Sequence, residues 1–327
     1  MNAPIPNKYD LENARQLAGF AAAAYESDWS DGADGSDVAD GWGGSDGWDV
    51  AGRIVDGGTD TQVVLWKNAQ DLIVAFRGTR SLRNFVTDLR ARRVALAGGG
   101  PRQAEVHEGF QQALNSVWEA LKSSVEKLLR AGGDAQQRVP AGGPGAPRLW
   151  ITGHSLGGAL AKLFAIRCQW GIAGVYTFGE PRGGNAAFRD YYEALLKSCT
   201  FRVVDGEDFI TRIPWLLGMY RHCGTEVFYP SFGRDALLRV AGCAAAQPYQ
   251  VSPPWWLKGC SDVFGTWREY HAGHRLALLA DHHVSRYVEM LSAPNLNPNP
   301  NPLLPSESEG RDRIKITSKI RSGIPQP

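Results

Sequence analysis

The apolar residues of this chain recur with two different periods. Near the start, a stripe from Leu11 to Tyr25 recurs roughly every three to four residues and predicts an opening helix. A longer stripe from Phe110 to Leu128 predicts a strongly amphipathic helix. Both stripes indicate helices that bury one face.

Short continuous apolar runs lie between helical segments and predict buried strands. The runs cover residues 72–76, 149–152, 172–178, 201–204 and 225–229, with helices expected over 159–170 and 186–197. Strands that alternate with helices indicate a mostly parallel sheet with helices on both faces. We therefore expect an α/β fold and a single domain over residues 1–291.

Three segments show neither period. Residues 28–58 are rich in Asp, Gly and Trp and are expected to form an extended loop, and the Asp-Gly repeats lack the ligand spacing of an EF-hand. Residues 231–267 form an insertion with a Pro-Pro-Trp-Trp run, for which we consider a role in walling an acyl pocket or touching lipid. Asn-Pro repeats and a polar tail over 292–327 predict disorder.

The pentapeptide Gly153-His154-Ser155-Leu156-Gly157 has the form G-x-S-x-G. An apolar run precedes it and a helical run follows it. In a nucleophile elbow a strand enters and a helix leaves, and glycines let the two backbones cross. The alternative is a glycine-rich turn with an incidental serine. Both flanks favour Ser155 as a nucleophile and the N–H of Leu156 as an oxyanion donor.

A serine needs a base and an acid to become a good nucleophile. In chain order these are expected after Ser155, the acid before the histidine. Asp205, Glu207 and Asp208 follow the strand predicted at 201–204, and His282 with His283 precede a helix-like stretch late in the chain. Either group alone is weak evidence for a catalytic role, but the order of the two groups after the elbow supports an acid and a base.

The composition excludes several classes of protein. Lys and Arg number 35 against 34 Asp and Glu, so nothing points to nucleic acid. No run of roughly 18 apolar residues predicts a transmembrane helix. The first residues show no secretory signal, so we expect a cytoplasmic protein or export by another route. The five cysteines form no C-x-x-C pair and are expected to be free thiols, with Cys243–Cys260 the one bridge considered.

Several ordered motifs give the chain a resemblance to the class 3 (fungal-type) triacylglycerol lipases of the α/β-hydrolase superfamily. The resemblance runs from about residue 9 to residue 287. Besides the elbow, the motifs that carry it lie at residues 74–79, 84–89, 106–110, 177–185, 208–214, 220–224 and 281–282.

The resemblance implies roles for individual residues. The family's acid begins a D-x-[IV]-x-R-x-P run, which selects Asp208 and leaves Asp205 as the fallback. The family's histidine commonly follows an Asp, which favours His282 over His283. Thr79 matches the position that offers a second oxyanion donor, although a residue of this type also caps helices.

Residues 81–96 align with the lid helix of the family. The segment carries an apolar stripe of Leu82, Phe85, Val86 and Leu89 against arginines. On periodicity alone the stripe is typical of an ordinary surface helix, but its position within the family pattern favours a lid over the site.

The resemblance implies a triacylglycerol lipase that hydrolyses acyl esters through an acyl-enzyme intermediate, with a lipid or ester substrate met at a lipid–water interface. The alternatives are a phospholipase A1, a feruloyl or short-chain carboxylesterase, a peptidase or thioesterase with the same triad, and an inactive lipid-binding protein. We expect no cofactor and no metal, because the late histidines lack zinc-site spacing: His271, His274, His282 and His283.

Overall fold

A seven-stranded sheet forms the centre of the computed structural model, which describes residues 1–3, 7–25, 47–79, 92–130, 147–206, 208–214, 219–229 and 282–292. The strands are β1 (Asp49–Asp56), β2 (Thr61–Lys67), β3 (Asp71–Phe76), β4 (Arg93–Ala95), β5 (Glu105–His107), β6 (Arg148–His154), β7 (Ile172–Phe178), β8 (Thr200–Asp205) and β9 (Thr225–Tyr229). The sheet order is β1-β2-β3-β6-β7-β8-β9, while β4 and β5 form a separate antiparallel pair. Within the seven-stranded sheet, the five neighbouring strands β3, β6, β7, β8 and β9 are all paired in parallel, which confirms the predicted α/β class.

Helices cover both faces of the sheet. They are α1 (Leu11–Ala23), α2 (Glu108–Arg130), α3 (Leu156–Arg167), α4 (Ala186–Leu196) and α5 (Val284–Ser292). In β2, Val63 and Leu65 pack with α2 and α3, whereas Val64 and Trp66 face α1 and α5. This alternation divides the apolar core into two layers, one on each side of the sheet.

The amphipathic stripe of α2 packs as predicted. Phe110, Leu114, Val117, Leu121 and Val125 recur every three or four residues and are buried. Burying each of these side chains fully contributes about 1.5–3 kcal/mol. Packing of this stripe, rather than helix propensity, therefore stabilises α2.

The predicted loop over 28–58 is wrong in its last part, because Asp49–Asp56 forms β1. This strand lies at the sheet edge, is partly exposed, and has an irregular register between Val50 and Gly52. A half-buried edge strand with a glycine and a bulge gives a weak apolar alternation. Residues 28–46 lie outside the described part.

The lid helix predicted over 81–96 is also wrong at its end. Residues Arg93–Ala95 form β4, in which Arg93 lies opposite His107 of β5. The four lid candidates lie within 80–91, outside the described residues: Leu82, Phe85, Val86 and Leu89. The insertion at 231–267 and the tail from residue 293 on also lie outside them. The helix after the elbow ends at Arg167, before the predicted end at residue 170.

Within the described ranges, no helix is both long enough and apolar enough to cross a bilayer. Three of the cysteines belong to these ranges, and all three are free thiols: Cys168, Cys199 and Cys223. Cys243 and Cys260 lie outside them.

Candidate active site

Ser155 sits in a strained turn between β6 and α3. Its φ is 58° and its ψ is −130°, an unusual conformation for a residue with a side chain. The Ser155 N–H donates to Phe178 O at 2.9 Å, which ties the turn to the end of β7. The turn therefore has the sharp strand-to-helix geometry of a nucleophile elbow.

Two glycines let the elbow close. A Cβ on Gly157 would lie 2.1 Å from the carbonyl oxygen of Phe76, and a Cβ on Gly153 would lie 2.4 Å from the backbone of Gly157. Both distances are far below any van der Waals contact. The spacing of the pentapeptide thus reflects a steric need, as predicted for an elbow.

Asp208 and His282 form a buried pair, although 74 residues separate them along the chain. His282 Nδ1 lies 2.8 Å from Asp208 Oδ2, and both side chains are fully buried. A carboxylate oxygen can only accept, so Nδ1 carries the proton and Nε2 keeps its lone pair. That tautomer is the one a general base needs.

The two alternative residues have other partners. Asp205 Oδ2 is 3.2 Å from Nε of Arg286 and makes no hydrogen bond to His282. His283 is exposed, and its Nδ1 lies 2.8 Å from Ser285 Oγ. The structure therefore brings Asp208, rather than Asp205, against His282, rather than His283.

Neither Ser155 Oγ nor His282 Nε2 has a hydrogen-bond partner among the described residues, although both atoms are buried. A buried polar atom without a partner is rare outside functional sites. Bonds between nucleophile and base are often long until substrate binds. The two atoms are thus available to the reaction.

The Asp208 carboxylate accepts two further hydrogen bonds. The N–H of Ile210 donates to Oδ1 at 2.8 Å, and Tyr287 Oη donates to Oδ2 at 2.6 Å. Burial, followed by the nearby Asp208 charge, raises the pKa of Tyr287 well above its ordinary value, so the phenol stays a donor. These bonds fix the carboxylate in front of His282.

Gly179 lies directly against this pair, with a φ of 59°. A Cβ there would lie 2.6 Å from Asp208 Oδ2 and 3.0 Å from His282 Cε1. Any side chain would displace the acid or the base, and the positive φ also favours glycine. The close approach accounts for the glycine in the 177–185 motif.

His154, beside the nucleophile, supports the site through its own hydrogen bonds. Its Nε2 lies 2.7 Å from the carbonyl oxygen of His282, and its Nδ1 lies 2.9 Å from Tyr25 Oη. The carbonyl requires Nε2 to be the donor, so Tyr25 donates to Nδ1. Burial, then the proximity of His282, lowers the pKa of His154 well below its ordinary value, which keeps this ring neutral.

The two expected oxyanion donors lie on either side of the elbow. Leu156 is the first residue of α3, where backbone N–H groups have no helical partner and the helix dipole favours negative charge. Thr79 follows Gly78, at which a Cβ would lie 3.1 Å from Ser155 Cβ. The turn after β3 therefore adjoins the nucleophile.

A buried ion pair joins the helix that follows the elbow to the segment after β7. Lys162 of α3 donates to Glu180 Oε1 and to the carbonyl oxygen of Cys223, and both charged side chains are almost fully buried. Burial would raise the pKa of Glu180, but Lys162 and His222 lower it overall. The pair links the elbow helix to the segment after β7.

A cavity lies elsewhere, at the beginnings of the parallel strands. Its volume is about 520 Å³, and its walls include Trp150, Ile172 and Phe201. Ser155 and Asp208 follow the opposite ends of β6 and β8, where open α/β sheets place their sites. The candidate active site is therefore separate from this cavity.

Sequence reasoning missed the supporting roles of Gly179, Tyr287 and Tyr25. The sequence did contain a signal for Gly179, because this glycine lies in the 177–185 motif, between a strand and a loop. Tyr287 and Tyr25 had none, because their partners are distant in sequence: 79 residues separate Tyr287 from Asp208, and 129 separate Tyr25 from His154.

Fold and site together define an α/β-hydrolase fold that carries a serine elbow and an Asp–His pair at the carboxyl ends of its parallel strands. Residues 73–217 match the model of the lipase (class 3) family.

Relatives of known description agree with this family. The chain is 30% identical over 186 residues to a secreted mono- and diacylglycerol lipase of Fusarium solani, which covers 54% of this chain and 50% of that protein. It is also 30% identical over 165 residues to a chloroplastic phospholipase A1 of Arabidopsis thaliana, which covers 44% of this chain and 34% of that protein. The chain spans 50% of the length of the first of these relatives and 34% of the length of the second.

Solved lipase structures share the fold. Lipase II of Rhizopus niveus superposes with a TM-score of 0.55 at 23% sequence identity, over 67% of this chain and 80% of that chain. At this identity the likeness concerns the fold alone.

Proposed function

We propose that this protein is a serine carboxylester hydrolase that cleaves acyl esters of glycerol, with triacylglycerol as its expected substrate. The observation that carries the proposal is the buried Asp208–His282 pair beside the strained Ser155 elbow. The family match of residues 73–217 and the description of the Fusarium relative support the choice of lipid esters.

In the first half-reaction, Ser155 Oγ attacks the acyl carbonyl carbon and gives its proton to His282 Nε2. The charge on the imidazolium is stabilised by Asp208, which accepts from Nδ1. The oxyanion forms near Leu156 N–H and Thr79, our two proposed donors. As the C–O bond breaks, His282 returns the proton to the departing alkoxide.

In the second half-reaction, water replaces the alcohol. His282 Nε2 takes a proton from water, and the resulting hydroxide attacks the acyl-enzyme carbonyl. As the second tetrahedral intermediate collapses, the bond from the acyl carbon to Ser155 Oγ breaks, His282 returns the proton to Oγ, and the fatty acid is released. The neutral, hydrogen-bonded His154 helps because a second cation would oppose the imidazolium of His282.

Two measurements test the proposal. A fluorophosphonate probe should label the wild-type protein and fail to label Ser155→Ala, since only an activated serine reacts. A hydrolysis panel of p-nitrophenyl esters from short to long acyl chains, with triolein, phosphatidylcholine and methyl ferulate, should show the highest kcat/KM on acylglycerol or long-chain esters. Absence of labelling in the folded wild-type protein would contradict the enzymatic proposal and favour a lipid-binding role.

The second candidate is a phospholipase A1, favoured by the similarity to the chloroplastic phospholipase A1 of Arabidopsis thaliana. The same triad would cleave the sn-1 ester of a phosphatidylcholine. Higher kcat/KM on phosphatidylcholine than on triolein, with release of the sn-1 acyl chain, would favour this candidate.

A further inference from the structure

A small cavity lies beside the turn that carries Asp208 and is separate from the elbow. Its volume is about 180 Å³, below the roughly 300–1,000 Å³ of sites for drug-sized ligands. None of Ser155, Asp208 or His282 lines it. A cavity of this size suits a group of a few atoms. The residues that line it are Arg182, Arg202, Val204, Gly206, Thr211, Arg212, His222, Glu226 and Phe228.

Positive charge exceeds negative charge around this arginine cavity. Three of the lining side chains are guanidinium groups, and one, Glu226, is a carboxylate that pairs with Arg202. Arg182 Nη1 donates to the carbonyl oxygen of Pro214 at 3.0 Å, and Arg212 Nη2 donates to that of Gly206 at 2.9 Å. These acceptors are neutral, so two guanidinium charges have no matching anion among the described residues.

The excess positive charge affects the pKa of Arg182. Burial lowers the pKa of Arg182, and the charges of Arg202, Arg221 and Arg212 lower it further. His222 adds no further positive charge, because burial and the nearby Arg202 lower its pKa to about 3 and leave it neutral. Like charges held together in a partly buried cavity cost free energy that a bound anion would recover.

Arg202, which lines the arginine cavity, also carries a buried donor that lacks an acceptor. Arg202 is only 5% exposed, and its Nε has no hydrogen-bond partner among the described residues. Its Nη2 is already bonded to Glu226. A guanidinium N–H buried without an acceptor is costly, and an oxyanion is the acceptor that guanidinium groups bind best.

We infer that the arginine cavity binds a phosphoryl group. A tetrahedral phosphate dianion matches the two unbalanced guanidinium charges, whereas a carboxylate would balance one. Phosphate oxygens also point in several directions, as three arginines from separate segments require. The group is either free phosphate or the phosphate of a lipid headgroup. The inference does not depend on the proposed esterase activity.

Isothermal titration calorimetry on the full chain tests the inference, with sodium phosphate compared with sodium chloride at equal ionic strength. Phosphate should bind saturably and raise the Tm, and chloride should do neither. Arg182→Gln and Arg212→Gln should each weaken phosphate binding by about tenfold, because each removes a charge-assisted contact. Arg189→Gln is the matched control, since Arg189 is on α4 and pairs with Asp190.

Two further arms separate the sources of phosphate. Glycerol 3-phosphate tests a soluble ester, and vesicles of non-hydrolysable diether phosphatidylcholine, with and without diether phosphatidic acid, test a lipid headgroup. Binding confined to the soluble ligands, or enhanced by phosphatidic acid, supports the inference and assigns the source. If Arg182→Gln fails to fold, the phosphate affinity of Arg212→Gln decides between the outcomes, because Arg212 is exposed and its replacement should leave the fold intact. No saturable phosphate binding by the wild type, or equal affinity in all three variants, would overturn it.

Discussion

Two regions of the candidate site hold their functional groups in different ways. The elbow at Ser155 depends on backbone contacts that only glycine permits at residues 153 and 157. The Asp208–His282 pair depends on side-chain hydrogen bonds, from Tyr287 and between the pair itself. A Cβ in the first region should therefore damage folding, whereas a lost proton or charge in the second should damage turnover with the fold preserved.

The largest expected effect comes from removing the Ser155 oxygen. Ser155→Ala should lower kcat on a p-nitrophenyl ester by roughly 10⁴-fold or more, because no nucleophile remains. The fold should survive, since Ala keeps the Cβ that the elbow already accommodates. Ser285→Ala, at an exposed serine near His282, should keep wild-type kcat. A folded Ser155→Ala protein with normal kcat would remove this serine from the reaction.

The acid offers a sharper comparison, because two buried aspartates lie close together. Asp208→Asn should lower kcat by about 10⁴-fold, since the amide cannot hold the required tautomer of His282 or stabilise its cation. Asp205→Asn should lower kcat by less than about tenfold, because Asp205 pairs with Arg286 instead. The reverse ranking of kcat would move the acid to Asp205.

Gly157→Ala tests the steric side of the comparison. The new Cβ would fall 2.1 Å from a backbone oxygen, and we expect a loss of at least about 3 kcal/mol in the free energy of unfolding. Gly171→Ala is the control, since a Cβ there meets nothing within 4 Å, and it should change stability by about 0.5 kcal/mol or less. Urea unfolding of both proteins measures the difference. Equal stabilities would mean that the elbow relaxes easily.

Tyr287→Phe tests the hydrogen-bonded region with a small change. It removes a donor to the Asp208 carboxylate, a bond to a charged group worth about 1.5–3 kcal/mol. Part of this should appear as a roughly tenfold drop in kcat with little change in KM, because the carboxylate acts mainly in the transition state. Tyr191→Phe on α4 should leave kcat unchanged. An unaltered kcat in Tyr287→Phe would make the phenol purely structural.

The smallest effect at neutral pH concerns two histidines, whose influence on stability appears only in acid. Burial lowers the pKa of His154 well below its ordinary 6.5 and that of His222 to about 3, so the unfolded chain binds these protons first. Stability should therefore fall as pH drops below about 6.5, by up to about 1.4 kcal/mol per pH unit for each histidine. His222→Asn should flatten this slope between about pH 6 and pH 4, as measured by urea unfolding. An unchanged slope would contradict a neutral His222 in the folded protein.

The sequence predicted most of what depends on local pattern. The stripe of α2 and the apolar run of β7 are strong because burial requires apolar residues at fixed spacings. The edge strand β1 was missed because a half-exposed strand with a bulge tolerates Asp, Gly and Arg. The order of Ser155, Asp208 and His282 was readable as a motif, but their roles remain predictions. The bonds made by Tyr287 and Tyr25 join residues far apart in the chain, and no local pattern encodes them.

The position of His282 in the chain has a consequence for biosynthesis. Ser155 and Asp208 leave the ribosome well before His282 and α5, and Arg15 Nε of α1 bonds to Leu291 O of α5 at 2.6 Å. The proposed base His282 and the tyrosine that bonds to Asp208 thus dock onto a sheet whose other parts have already been made. A nascent chain that has not reached residue 282 carries the proposed nucleophile but not the proposed base, so hydrolysis by this triad can begin only after translation has passed that point.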